Sequence, residues 1–385
     1  MNNPTKLLLF ILSGILLTSC NFPRRKNKLT LTEYALQSVQ DSMRQGRTGA
    51  AERIIGKELG EATDSNAYYL WLCMRAKRYF TEMKADSFLM LNNRTGDYLR
   101  RTPSSDFHTR HRLEVEWLVE RGAFYASMAG IPDSAIFYNK KALERMDGLT
   151  NDIPYRIMAL TNIADIYRQN GQPDLSADSY MQALNVADSA ELHNDTYIII
   201  YMGISSVYTA MGDFKESKIW WERTKSLMPY MTRNDKFFYY NNRGNDYYQQ
   251  GLYKEARTCF ENAETMLEGS AGAEWDIAFV RTNLADVYIK LGMGDKASRL
   301  IDEAERYFRQ VGFDIPLYYL ETQRIELALL NGDTKGAVRL ADAAVERPDM
   351  LPEQRLMRMK AIESAARMNG QWEKAFNTAV GIKAL

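Results

Sequence analysis

The chain has 385 residues, with 49 Lys and Arg against 49 Asp and Glu, so its formal net charge is zero. That balance excludes the clustered cationic surplus of a non-specific nucleic-acid binder. Its 45% apolar and 25% charged residues exclude a disordered chain and supply enough apolar material for a buried core.

The first element is an apolar run. Lys6 is the one base before it, and Leu7 to Leu17 follow without a charge. A stretch of 11 residues is too short for a bilayer span, which takes ~20 residues, and fits the apolar region of a signal peptide. It ends in Leu17-Thr18-Ser19-Cys20, which resembles the bacterial lipobox. The resemblance implies a lipoprotein signal peptide over 1–19, cleavage after Ser19, and diacylglycerol on the Cys20 thiol. The new amino terminus is then acylated, usually with palmitate. Residues 20–28 become the lipidated cysteine and a basic tether, NFPRRKNK. Two or three acyl chains, at roughly 0.8 kcal/mol per buried methylene, hold such a protein stably at a membrane. Asn21, rather than an aspartate, follows the cysteine, and by resemblance this favours an outer-membrane anchor facing the periplasm.

From residue 29 onward the chain is periodic. Gly130, Gly171, Gly212, Gly251, Gly292, Gly332 and Gly370 are spaced 41, 41, 39, 41, 40 and 38 residues apart. Five residues after each glycine stands a small residue: Ala135, Ser176, Ser217, Ala256, Ala297, Ala337 and Ala375. Nine after the first five stand Asn139, Tyr180, Trp221, Phe260 and Ile301. Twelve after the first six stand Ala142, Ala183, Thr224, Ala263, Ala304 and Ala344. Tyrosine or alanine stands four before every one. A glycine can leave a helix through positive φ, and a small residue lets two helices approach. The unit is a helix–turn–helix hairpin. Gly46 extends the grid upstream, and one hairpin without its glycine must turn near Thr81–Asp86, giving about nine hairpins over 29–385.

The Gly, Ala, Tyr/Phe and Ala slots, clearest over 161–184, 203–229 and 282–304, resemble the tetratricopeptide repeat. The standard period is about 34. The longer period here resembles the long-helix subclass of bacterial regulators and kinesin light chains. The resemblance implies an all-α fold, an α-solenoid of antiparallel helical hairpins wound as a right-handed superhelix. Solenoids usually end in a polar capping helix. Here the last hairpin runs into AFNTAVGIKAL, so either its second helix is the cap or its outer face packs on something.

Chemistry is sparse. No Walker, Rossmann, G-x-S-x-G or H-E-x-x-H pattern appears, so neither an enzyme nor a cofactor is expected. His108 and His111 share a helix face but lack further ligands, and His193 stands alone, so no metal site is expected. Cys73 and Cys259 lie in apolar helical stretches and read as buried free thiols. The inner face of the hairpins offers more. Five before the aligned tyrosines stand Asn162, Gly203, Asn242 and Asn283, and two before them Asp165, Ser206, Asn245 and Asp286. Residues three apart share a helix face, so the repeats can stack these side chains into a polar ladder. Asparagine offers a donor and an acceptor to a peptide main chain, and in similar repeat families an asparagine at this slot clamps an extended peptide. The alternative is bonding to the neighbouring repeat. Tyr239, Tyr240 and Tyr248 stand nearby.

The expected function is a membrane-anchored scaffold that binds a peptide segment or protein partner in the cell envelope. A sensor solenoid that signals to a separate transcription regulator is the alternative. Glycan capture by an outer-membrane lipoprotein ranks below both, because no long insertion interrupts the repeats.

Overall fold

The computed structural model describes residues 31–44, 47–82, 84–102, 107–146, 152–190, 192, 194–270, 273–344 and 352–384. The signal peptide, Cys20, the tether, Gly46, His193 and the side chain of His108 lie outside the described residues.

Among the described residues the regular structure is helical: α1 (Leu31–Arg44), α2 (Thr48–Glu61), α3 (Ser65–Thr81), α4 (Ala85–Arg101), α5 (Phe107–Ser127), α6 (Pro132–Arg145), α7 (Ile153–Gln169), α8 (Pro173–Ser189), α9 (Asn194–Met211), α10 (Phe214–Ser226), α11 (Arg233–Gln249), α12 (Tyr253–Leu267), α13 (Glu274–Lys290), α14 (Gly294–Val311), α15 (Ile315–Leu330), α16 (Thr334–Ala343), α17 (Pro352–Met368) and α18 (Trp372–Ala384). One turn of 3-10 helix, Met228–Tyr230, follows α10. Taken in pairs, these are nine antiparallel hairpins, the α-solenoid expected from the grid.

The grid glycines turn the hairpins as their spacing implies. All seven have φ between 62° and 77°. The amide after each of the last six donates to the carbonyl four residues before the glycine, as in Gln172 to Tyr167 at 2.8 Å and Met293 to Tyr288 at 2.8 Å. This bond closes a Schellman turn and satisfies a helix-end carbonyl. It explains why the tyrosine slot keeps its distance. The hairpin without a glycine turns between Thr81 and Ala85. There the Lys84 amide donates to the Tyr79 carbonyl at 2.9 Å, the same bond one residue past the turn. Asp213 and Asp333, directly after their glycines, accept from the amides of Glu216 and Gly336 and cap the second helices.

The small and aromatic slots form the core. Six of the seven small residues are fully buried, and Ala375 is nearly so. Asn139, Tyr180, Trp221, Phe260 and Ile301 are buried as well. The room for these rings comes from facing glycines. A Cβ on Gly203 would lie 2.1 Å from the Tyr180 ring, and one on Gly244 would lie 2.8 Å from Phe260. A glycine inside a helix costs about 1 kcal/mol relative to alanine, which the close packing of these rings offsets. Ala344, by contrast, is only half-buried, because α16 stops before it.

The two helices of a hairpin play unequal parts. In α13, 11 of 17 residues are buried, whereas in α14 only 5 of 18 are. First helices pack against their own second helix and also against the next first helix, as α13 does against α15. They are therefore the more buried of each pair, and second helices keep a broad solvated face. The described residues divide into two compact units, 31–234 and 235–384. No shift of composition marks this division. Among the described residues no helix is long and apolar enough to cross a membrane.

Candidate functional site

The burial of so much of the first helices means that many of the polar residues on them lie away from solvent, where pairing matters most. The second unit holds a chain of amides. Asn283 on α13 is fully buried and donates to Asn241 Oδ1 on α11 at 3.1 Å, and Asn241 donates to Asn242 Oδ1 at 3.1 Å. Gln323 on α15 donates to the Thr282 carbonyl at 2.9 Å. Asn245, one helical turn beyond Asn241, is 1% exposed, and neither atom of its amide has a hydrogen-bond partner among the described residues. The same is true of Asn283 Oδ1. A buried polar group left without a partner costs about 1–3 kcal/mol, so this face has spare donor and acceptor capacity.

Beside the amides, Asp286 faces the hydroxyls of Tyr248 and Tyr319. Burial first and Glu326 second push its carboxyl up to about 6, against Lys290 and the two hydroxyls. Lys290 itself pairs with Glu326 at 2.9 Å. Asp246 accepts from Arg243 at 2.5 Å and from Gln250 at 2.8 Å. Tyr239 and Tyr248 are buried and Tyr240 is half-buried.

The expected residues therefore fall into two groups. Asn242, Asn245, Asn283 and Asp286 come together on α11 and α13. Asn241, ten residues before Gly251, links them, and the sequence pattern does not single it out. Its slot carries threonine in three other repeats (Thr161, Thr282 and Thr322), which hides its polar role. Asn162 and Asp165 belong to the first unit and are engaged there. Asn162 is 5% exposed and donates to Asn139 on the preceding hairpin at 3.2 Å. Asp165 accepts from the Tyr180 hydroxyl at 2.8 Å and from Arg168 at 3.0 Å. At the next repeat, Gly203 is filled by the Tyr180 ring, and Ser206 donates to the Met202 carbonyl at 2.9 Å.

The first unit also holds an ionic cluster that the repeat pattern does not reveal. Lys77 on α3 pairs with Glu116 on α5 at 3.6 Å, with both side chains 1% exposed. The Tyr155 hydroxyl on α7 donates to Glu116 and accepts from Arg112 at 3.2 Å. The Cys73 thiol donates to Glu120 at 3.3 Å. Burial first and Glu116 push Glu120 up to about 8, against Lys77 and the thiol bond. Burial and Glu120 hold the Cys73 thiol well above its ordinary range, so it stays protonated and is a poor nucleophile. The signal is present as i,i+4 pairs, Cys73 with Lys77 and Glu116 with Glu120. It is masked because the α3–α4 hairpin lacks the glycine that marks a first helix. Cys73 is buried and free as expected, whereas Cys259 is free but only half-buried. His111 pairs with Asp152 inside the fold. Among the described residues no group of three or more His, Cys, Asp or Glu could hold a metal ion.

Two family models described as tetratricopeptide repeat match the chain, over residues 237–310 and 159–189. The chain thus carries tetratricopeptide repeats in both units. No curated protein sequence matches it. Among solved structures it is similar to a Rap protein complexed with competence and sporulation factor, with a TM-score of 0.67 and 18% identity, over 91% of this chain and 97% of that one. It is also similar to NprR in complex with its cognate peptide NprX, with a TM-score of 0.59 and 15% identity, over 90% and 99% of the two chains. A third is aspartyl phosphate phosphatase F from Bacillus subtilis, with a TM-score of 0.54 and 14% identity, over 93% and 95%. At such identities the likeness establishes the fold alone, a tetratricopeptide-type solenoid.

Proposed function

We propose that this protein is a membrane-anchored tetratricopeptide scaffold of the bacterial envelope, and that its second unit binds a peptide segment or protein partner. The observation that carries the reading is the Asn245 amide, which sits beside the Asn241–Asn242–Asn283 chain with its donor and acceptor unused. A peptide main chain presents the complementary pair at every residue. Two of the similar structures are complexes with the competence and sporulation factor and with the NprX peptide, and they support this choice of ligand class. The anchor rests on the lipobox and Cys20.

The test is cross-linking in cells with a photoreactive residue at Asn242, which is half-buried. A set of cross-linked partners that disappears in Asn245→Leu, with the thermal midpoint unchanged, is the expected result. An identical set in wild type and variant would place the contact elsewhere. Labelling with radioactive palmitate, lost in Cys20→Ala, checks the anchor separately. The second reading, a sensor that passes a peptide signal to a separate regulator, is favoured by NprR and its cognate peptide. It shares the site and differs in the step after binding.

A further inference from the structure

On the second helices α12, α14 and α16, slots two, six or ten residues past the grid glycine meet the following hairpin. At the first slot, a Cβ on Gly294 of α14 would lie 2.7 Å from Asn331 and 3.5 Å from Leu327, at the end of α15. At the second, Val338 of α16 is 7% exposed and shares a core cluster with Ala361 and Ala365 of α17. At the third, Glu261 of α12 accepts from Tyr288 of α13 at 3.2 Å, and Asp302 of α14 accepts from Arg324 of α15 at 2.8 Å.

In α18 the same slots hold Trp372, Phe376 and Val380. They are 68%, 69% and 52% exposed. At spacings of four they form one stripe along the helix. In α14 these slots hold Gly294, Ser298 and Asp302, whereas in α18 all three are large and apolar, and nothing among the described residues covers them. An open depression of about 440 Å³, lined by Asp342, Gln371, Trp372, Glu373 and Lys374, adjoins the stripe.

We propose that this face of α18 is a dimerisation surface, on which α18 of a second copy packs antiparallel. Self-complementarity selects that occupant. An antiparallel pair centred on position 378 sets Phe376 against Val380 of the second copy. It also brings Glu373, exposed at one end of the helix, beside exposed Lys383 of the other copy. The twofold axis repeats both contacts, as an isologous interface requires. Trp372 of each copy then lies over the last turn of the other helix. One helix pair buries less than the roughly 1,200 Å² of a standard interface, so the association is weak, on the order of micromolar.

Sedimentation equilibrium of the full chain in density-matched detergent tests this. Wild type is expected to show a monomer–dimer equilibrium. Phe376→Asp weakens it at least roughly tenfold, as loss of a central aromatic anchor does. Glu373→Lys and Lys383→Glu each weaken it by roughly threefold or more through like-charge contacts, and the double exchange restores it. All four variants keep the wild-type thermal midpoint, because the altered side chains are exposed. A wild type that stays monomeric up to about 200 µM, well above the expected constant, overturns the proposal. So does a dimer that survives Phe376→Asp, or a double exchange that fails to recover.

Discussion

The inner face formed by α3, α5 and α7 and the one formed by α11, α13 and α15 solve the same problem with different chemistry. Both consist of first helices enclosed by their neighbours, so both must satisfy polar groups without water. Ten residues before the glycine, the same slot holds Glu120 in one and Asn241 in the other. The first unit surrounds its glutamates with Lys77, Arg112, Tyr155 and Cys73, and protons and charges balance internally. The second strings amides across two helices and leaves Asn245 over. An ionic cluster of this kind resists change in its members but answers to pH. The amides themselves carry no charge to titrate, although Asp286 beside them, raised to about 6, does. The difference separates a face whose polar groups are mutually engaged from one that leaves an amide without a partner among the described residues.

The sharpest way to break this contrast is Lys77→Ala. Removing the cation leaves Glu116 and Glu120 in the core with less compensation, which for buried ion pairs costs about 3–5 kcal/mol. Urea unfolding reads it, and a loss below about 1 kcal/mol would show that the cluster is not held by charge.

Glu120→Gln comes next and tests the pH response. The folded state holds the Glu120 proton up to about pH 8, whereas the ordinary value is 4.5. Between these values the unfolded chain has released a proton that the native chain keeps. The contribution is therefore full below the ordinary value and is lost as pH rises towards the folded one, at up to about 1.4 kcal/mol per pH unit. Glu120→Gln should remove this slope and gain on wild type at pH 8, measured by unfolding free energy against pH. A slope unchanged by the substitution would assign the titration elsewhere.

The smallest effect is expected at Asn245. Replacing it with leucine removes an amide that has no partner, so stability should change by less than about 1 kcal/mol or rise slightly. Asn241→Leu, in contrast, strands the Asn283 donor and should cost about 1–3 kcal/mol. Equal losses at the two positions would show that Asn245 is engaged after all, and would weaken the ligand reading.

Much of the fold is legible along the chain. The hairpins, their number and the buried small slots come from glycine spacing, because a positive-φ turn with its five-residue amide bond is a local constraint that fixes its neighbours in sequence. The candidate site is legible only in part. Asn242, Asn245, Asn283 and Asp286 stand out because they sit at a fixed offset from a tyrosine. Asn241 and the Lys77–Glu116–Glu120 cluster do not, because their meaning depends on contacts between helices about 40 residues apart, such as Asn283 with Asn241 and Tyr155 with Glu116.

The sequence by itself determined that the chain would form helical hairpins, nine among the described residues, since turns and amphipathic spacing are properties of neighbouring residues. Only the tertiary structure decided which polar residues are consumed and which are left over. Asn162 and Asp165 look the same as Asn283 and Asp286 in the sequence, yet Asn162 meets Asn139 and Asp165 meets Tyr180 and Arg168. The amide of Asn245, at the Asp165 slot of its own repeat, has no hydrogen-bond partner among the described residues. Hydrogen-bond satisfaction is settled by what the adjoining helix presents, and no periodicity within one helix encodes it.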